Sequence, residues 1–303
     1  MVIVSAMKKL WTTFERDAVR LVDELVQRGA FDAVKDLAEV YPLKVFPDAV
    51  GLAEEGRENL LPYGNMAFNA FGPRNDLFHQ AMTNAQPVVS WIMSRCQRAA
   101  LAPEGLGAQI YAAADTGEIA EDEASLLVRS FLTAGLDTTV VGLGNALFCF
   151  TQHPDQWQRL RQEPALARAA FDEVLRYESP VQTFFRTTTR PIEVAGVQLG
   201  EGAKVLLFLA AANRDARRWD NPDHFDITRH ASGHLAFGVG IHGCVGMAVA
   251  RRLTSKRSGF SQRRGSRLAA ARKRRTFSPS PRLVPATSTG RVVVRKNVCS
   301  GDS

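Results

Sequence analysis

The reading of this chain turns on Phe237-Gly238-Val239-Gly240-Ile241-His242-Gly243-Cys244-Val245-Gly246, which sets one cysteine among four glycines. An apolar run, Val245 to Leu253, follows at once and reads as a helix. Glycine lets a backbone turn tightly and approach a flat partner where a β-carbon would clash. A cysteine at a helix N-terminus is biased toward the thiolate by the helix dipole and the unpaired N–H groups. The peptide N–H groups of Val245 and Gly246 are candidates to hydrogen-bond the sulfur. Such an arrangement offers an anionic sulfur axially to a metal. A lone Cys-x-Gly would instead read as a glycine-rich turn with a buried structural cysteine, but here the whole run is filled. Zinc fails on spacing: Cys96, Cys149, Cys244 and Cys299 form no Cys-x-x-Cys pair, and His242 alone completes no tetrahedral set.

Outward from the loop, Val181 to Arg190 is rich in β-formers and reads as a strand, with short strands about Gly196 and Gly200. Pro164 to Tyr177 reads as a helix with Glu173 and Arg176 three apart, on one face and able to pair. On the surface such a pair would contribute little. Glu121 to His153 is the longest helical pattern, closed by Pro154. Its middle, Thr133-Ala134-Gly135-Leu136-Asp137-Thr138-Thr139, combines a glycine with hydroxyl side chains that compete for backbone hydrogen bonds. Such a spot can open locally for a ligand or water, or it can be a small-residue contact in a slightly poor helix.

Nearer the N-terminus, Val19, Val22, Leu25 and Val26 up to Gly29 fit an amphipathic helix, and Asp32 to Val40 continues helically to Pro42. Pro47 and Pro62 bracket a further short helical piece, and Met66 to Phe71 forms another. Phe68 and Phe71 are spaced to share one face, which by pattern alone means core packing. Asp76 to Ala100 reads as a helix interrupted near Pro87, with Trp91 in the core and Arg95 on the surface.

A chain of 303 residues with 45% hydrophobic content can bury a large core. Four scattered cysteines argue against a disulfide scaffold and suit a reducing cytosol. The apolar run at the start is far too short for a signal peptide, and no transmembrane segment is expected. The net charge of +7 conceals two characters. Residues 1–250 hold 23 Lys and Arg against 30 Asp and Glu, whereas residues 251–303 hold 15 against one.

The filled run Phe-Gly-x-Gly-x-His-x-Cys-x-Gly closely resembles the haem-binding loop of the cytochrome P450 monooxygenases. The resemblance implies haem b as cofactor, with Cys244 as proximal iron ligand, Phe237 near the sulfur, and Gly238 and Gly246 shaping the loop. His242 and Arg186 would face haem propionates, Arg186 with bidentate geometry suited to a carboxylate. Thiolate ligation favours cleavage of the dioxygen O–O bond. Ala134 to Thr139 resembles the family's oxygen-activating segment, so Asp137 and Thr138 would relay protons toward dioxygen. Glu173 and Arg176 match a structural pair that locks the core beneath the haem. Ala212 to Asp215, Trp219, Pro222, Phe225 and Arg229 look like the irregular stretch before the cysteine. His224 stands there where relatives often carry arginine, which leaves the third member of the ion network open.

The implied fold is the P450 fold, mainly α with small β regions (α+β) and truncated, with residues 1–252 as a partial haem-thiolate monooxygenase domain. Residues 253–303 read as a basic tail, disordered or frame-shifted, with no helical or strand period to build on. A nucleic-acid-binding tail carried by Arg272-Lys273-Arg274-Arg275 ranks behind a frame-shifted end. The resemblance also implies that about a third of the family's fold would precede Met1. The implied activity is insertion of one oxygen atom from dioxygen into a small organic substrate, with electrons from a ferredoxin and its reductase. Phe68 to Gly72, Ser179 to Arg186 and Ala134 to Thr139 look most like bacterial enzymes acting on para-substituted benzoates. Phe68, Phe71, Ser130, Val181 and Phe184 would then line the pocket of a cytoplasmic enzyme without membrane contact. The alternatives are an inactive fragment of such an enzyme and a nucleic-acid binder.

Overall fold

The structure, a computed structural model, describes residues 2–255, 266–271 and 291–296. In chain order the elements begin with α1 (Val2–Arg28), β1 (Ala30–Asp32), a π-helical stretch (Ala33–Ala38), α2 (Val40–Val50) and α3 (Leu60–Ala70). Next come α4 (Asp76–Met82), α5 (Ala85–Arg95), α6 (Leu106–Asp115), α7 (Glu121–Gln152), α8 (Pro154–Gln162) and α9 (Ala167–Glu178). The small β regions follow: β2 (Thr183–Thr187), β3 (Ile192–Val194), β4 (Val197–Leu199) and β5 (Lys204–Phe208). The remainder is α10 (Leu209–Ala212), α11 (Met247–Ser255), β6 (Ser266–Ala271) and β7 (Arg291–Lys296). β2 pairs antiparallel with β5, and β3 with β4.

Local chemistry accounts for most of these bounds. Gly29 closes α1 in the left-handed region (φ 81°). Asp32 caps the π-helical stretch by accepting from the Val34 and Lys35 N–H groups. Two proline readings need correction. α2 runs through Pro47 to Val50, because Tyr41, Val45, Phe46, Ala49 and Val50 are buried on it and their packing outweighs one lost hydrogen bond. The break in the next helical segment falls at Thr83 and Asn84, and Pro87 sits in the first turn of α5, where a missing N–H costs nothing.

α7 carries two cores at once. Phe46, Val50, Leu60, Ile92, Tyr111, Val128, Leu132 and Leu136 pack around its first half. Val22, Leu25, Phe31, Cys149, Phe150, Trp157, Val174, Phe225 and Ile227 pack around its end. Each such side chain contributes about 1.5–3 kcal/mol when fully buried. Among the described residues α7 is also long and apolar enough to cross a membrane, which the sequence reading did not anticipate. Here α2, α3, α6 and α9 pack along it, as around the core helix of a globular protein.

The expectation of no helical or strand period in residues 253–303 also needs correction. α11 continues to Ser255, and β6 and β7 form an antiparallel pair that β7 extends to β1. Val292, Val293 and Val294 are β-branched and favour a strand. Its partner β1 lies near the other end of the chain, where no local pattern discloses it. The rest of the basic tail, including Arg272 to Arg275, lies outside the described residues.

Candidate active site

Glu173 and Arg176, one turn apart on α9, are both fully buried. Arg176 Nε and Nη2 donate to the two carboxylate oxygens at 2.7 and 2.8 Å. Nη1 donates to the Asn213 and Pro222 carbonyls, each at 2.9 Å, and Nη2 also to the His224 carbonyl at 3.3 Å. All the donors of the guanidinium are thereby used, which a buried cation requires. The open third place is taken by Arg229, whose Nε donates to Glu173 Oε1 at 3.2 Å. His224 contributes its backbone carbonyl to both arginines. Asn213, itself fully buried, ties this knot to the cysteine loop by accepting the Leu235 N–H at 2.7 Å. Sequence reasoning missed Asn213, because nothing local marks a side-chain amide that bridges two distant segments.

The loop itself is exposed. Cys244 is an exposed free thiol, and its N–H donates to the Phe237 carbonyl at 2.8 Å. Gly238 has φ +67°, and a Cβ there would stand 2.7 Å from the His242 carbonyl oxygen, so only glycine serves. α11 starts at Met247, three residues past the cysteine, and neither Val245 nor Gly246 donates to the sulfur in this structure. Gly246 lies beside it, its Cβ position 3.7 Å from Sγ. His242 ends a short 3-10 turn (Gly240–His242) and is exposed. Val239, Ile241 and Val245 are exposed by 66%, 97% and 83%, an apolar surround that water alone does not favour. Val249 on α11 packs against the core formed with Leu132 and Leu136 of α7, which brings the loop's helix to that part of α7.

In the middle of α7 the helix does not open. Thr138 Oγ1 donates to the Ala134 carbonyl and Thr139 Oγ1 to the Gly135 carbonyl, both at 2.6 Å. Gly135 makes room for the Phe46 ring, which a β-carbon would overlap. Asp137 is half-buried beside Gly64 of α3, whose Cβ position is 3.5 Å from its Oδ1. Burial raises its carboxyl to about 6. Of the expected pocket, three rings are brought together: Phe71 stands 6.4 Å from Phe68 and 6.1 Å from Phe184. Val181 is half-buried ahead of β2, and Ser130 is exposed, its hydroxyl donating to the Leu126 carbonyl of its own helix at 2.8 Å. Arg186 lies 5.2 Å over the Phe184 ring and has no carboxylate partner among the described residues. Arg129, beside Ser130, donates to the Met93 thioether at 3.5 Å. Arg95 instead pairs with the exposed Glu55, as a surface residue would.

These residues fit a haem. Among the described residues no three His, Cys, Asp or Glu side chains converge to hold an ion. A lone exposed thiol suits a metal whose other ligands come from an organic ring. The apolar flanks and the glycine backbone suit the face of such a ring, and the Arg186 guanidinium is of a kind suited to its carboxylates.

The profile of the family Cytochrome P450 matches residues 97–254. Cytochrome p450 CYP199A2 of Rhodopseudomonas palustris is 58% identical over 248 residues, covering 82% of this chain and 60% of that protein. The biotin biosynthesis cytochrome P450 of Bacillus subtilis is 31% identical, covering 76% of this chain and 59% of that protein. The chain thus spans about three fifths of the length of these relatives. Among solved structures, P450BioI in complex with an acyl carrier protein superposes with a TM-score of 0.77 at 26% identity, covering 95% of this chain and 75% of that one. CYP109Q5 from Chondromyces apiculatus gives 0.76 at 28% identity, covering 95% and 72%. The architecture is that α+β fold, mainly helical with small sheets.

Proposed function

The chain belongs to the cytochrome P450 family, and we propose that it acts as a haem-thiolate monooxygenase that inserts one oxygen atom of dioxygen into a small organic substrate. The observation that carries this reading is Cys244, presented to the outside on a glycine-turned loop with an apolar surround. Haem b, the cofactor of the family, supplies activation of dioxygen when bound, aided by thiolate ligation. Cys244 would ligate the iron, Phe237, Gly238 and Gly246 would shape the loop, and His242 and Arg186 would hold the propionates. Glu173 and Arg176 support the site from beneath without touching substrate.

Asp137 and Thr138 are proposed to deliver protons. A carboxyl with a pKa of about 6 gains and loses a proton readily near neutral pH, which a general acid needs. The Thr138 hydroxyl donates to Ala134, so its oxygen keeps lone pairs free to accept. The neighbouring rings of Phe68, Phe71 and Phe184, with Val181 and Ser130, suit an aromatic substrate. Our finer proposal is a para-substituted benzoate such as 4-methoxybenzoate. Electrons would come from a ferredoxin and its reductase, and the cytoplasm would be the setting.

The test is spectroscopic. The chain loaded with haem, reduced and exposed to carbon monoxide, is expected to show the red-shifted Soret band of thiolate ligation. Cys244→Ser should remove it and Cys96→Ala should keep it. A parent chain without that band, or a Cys244→Ser variant that retains it, overturns the reading. Turnover of 4-methoxybenzoate with ferredoxin and reductase tests the finer proposal.

A further inference from the structure

Asp172 precedes Glu173 on α9 but serves a different part of the molecule. Its Oδ1 accepts from Arg251 Nε at 2.8 Å and lies 3.6 Å from His234 Nε2. His234 is almost fully buried, and its Nδ1 accepts the Ala236 N–H at 3.1 Å. A neutral imidazole that accepts at Nδ1 carries its hydrogen on Nε2, the nitrogen that faces Asp172. His234 stands just ahead of the cysteine loop and Arg251 on the helix behind it. Between them sits Phe237, its ring 5.6 Å from the His234 ring and 5.2 Å from the Arg251 guanidinium carbon. The Phe237 carbonyl in turn accepts the Cys244 N–H. From Val239 to Val245 every residue is exposed, so the loop draws little support from the core.

Resting on the haem-thiolate reading, we infer that Asp172 is a positioning residue for Cys244, its carboxylate clamping both ends of the cysteine loop. One arm runs through His234 and the other through Arg251, and they meet on the ring of Phe237, whose carbonyl accepts the Cys244 N–H. Asn213 fastens only the leading end, through Leu235. Although burial works to raise the Asp172 carboxyl, the Arg251 hydrogen bond and the His234 imidazole 3.6 Å away prevail and hold it below the ordinary range, so the clamp is an anion. The two neighbouring carboxylates of α9 thus divide the work. Glu173 fastens the coil before the loop, and Asp172 fastens the loop.

The test is backbone hydrogen exchange on the full haem-loaded chain, with its carbonyl spectrum as second readout. Asp172→Asn should speed exchange across residues 235–250 by about tenfold or more, the scale of losing hydrogen bonds to a charged group. Residues 121–152 should exchange as before, and the share of the thiolate Soret band should fall. Asp172→Glu, which keeps the charge, should recover part of both. Asp215→Asn, at a half-buried carboxylate paired with the exposed Arg217, should change neither. Arg251→Gln cuts one arm only and must loosen the same window, which keeps the question answerable if Asp172→Asn does not fold. Unchanged exchange over 235–250, or an equal rise throughout the chain, overturns the clamp. A parent chain without the thiolate band would instead overturn the functional reading, and the exchange data would still decide the clamp.

Discussion

The ion knot on α9 and the cysteine loop it supports lie close in the fold and are built on opposite terms. In the knot, Glu173 and Arg176 are sealed from water, and every donor of Arg176 has an acceptor. In the loop, Cys244 and its apolar neighbours face outward, and the backbone is held by the Phe237 carbonyl and a left-handed glycine. The difference follows from what each region must satisfy. A buried charge must find all its partners inside the protein, whereas a thiol proposed to ligate a metal has to stay uncommitted and accessible. Stability and chemistry are therefore carried by separate residues, and substitutions in the two places should behave differently.

The largest effect is expected from Glu173→Ala. It would leave Arg176 and Arg229 without their shared anion, and removing one partner of a buried pair costs about 3–5 kcal/mol. Urea denaturation should show this as a lower midpoint or as failure to fold. A loss under about 1 kcal/mol would break the contrast between knot and loop.

Asp137→Asn should act in the opposite direction. The folded carboxyl, raised to about 6 by burial, is ionised at pH 7 at a cost that the unfolded chain does not bear. Because the folded pKa lies above the unfolded one, the penalty is absent below about pH 4 and grows to its full size above pH 6. The variant should gain up to about 3 kcal/mol at pH 7, fading as the pH falls to 4. Denaturation at pH 4.5 and pH 7 measures it, and an equal gain at both would show that burial is not the cause.

Gly135→Ala tests whether the small residue in α7 serves packing. The added methyl meets the Phe46 ring, and overpacking of this kind costs about 1–3 kcal/mol, against the slight gain alanine brings to an open helix. A variant at least as stable as the parent would mean that Phe46 is free to move aside.

The smallest effect is expected at the site itself. Cys244→Ser should change stability by less than about 0.5 kcal/mol while removing thiolate ligation, since the exposed side chain touches no core. A thermal or urea midpoint well below that of the parent would give the cysteine a structural role after all.

Where the physics is local, the sequence was legible. Four glycines around one cysteine identified the loop, and two of them, Gly238 and Gly240, take the left-handed turns that favour glycine. The α7 pattern and the three-residue spacing of Glu173 and Arg176 placed the long helix and the pair, since helical periodicity is written along the chain. Pro47 misled, because a proline signals a break while the burial of Phe46 and Val50 decides whether the helix continues.

What only the tertiary structure decided are the partners that come from afar. Arg229, not His224, completes the ion knot, because the coil after α10 folds back and offers carbonyls to two arginines. Nothing local distinguishes Asp172 from other acids on a helix; His234 and Arg251, from before and after the cysteine loop, meet at its carboxylate. β7 needed β1, from the opposite end of the chain, to have a neighbour. For Gly135 the pattern left open whether α7 opens or packs there, and the Phe46 ring decided for packing. By itself the sequence determined which residues could turn, pair or ligate. Hydrogen bonds and buried contacts between segments remote in the chain depend on where the backbone returns, and no local pattern encodes that return.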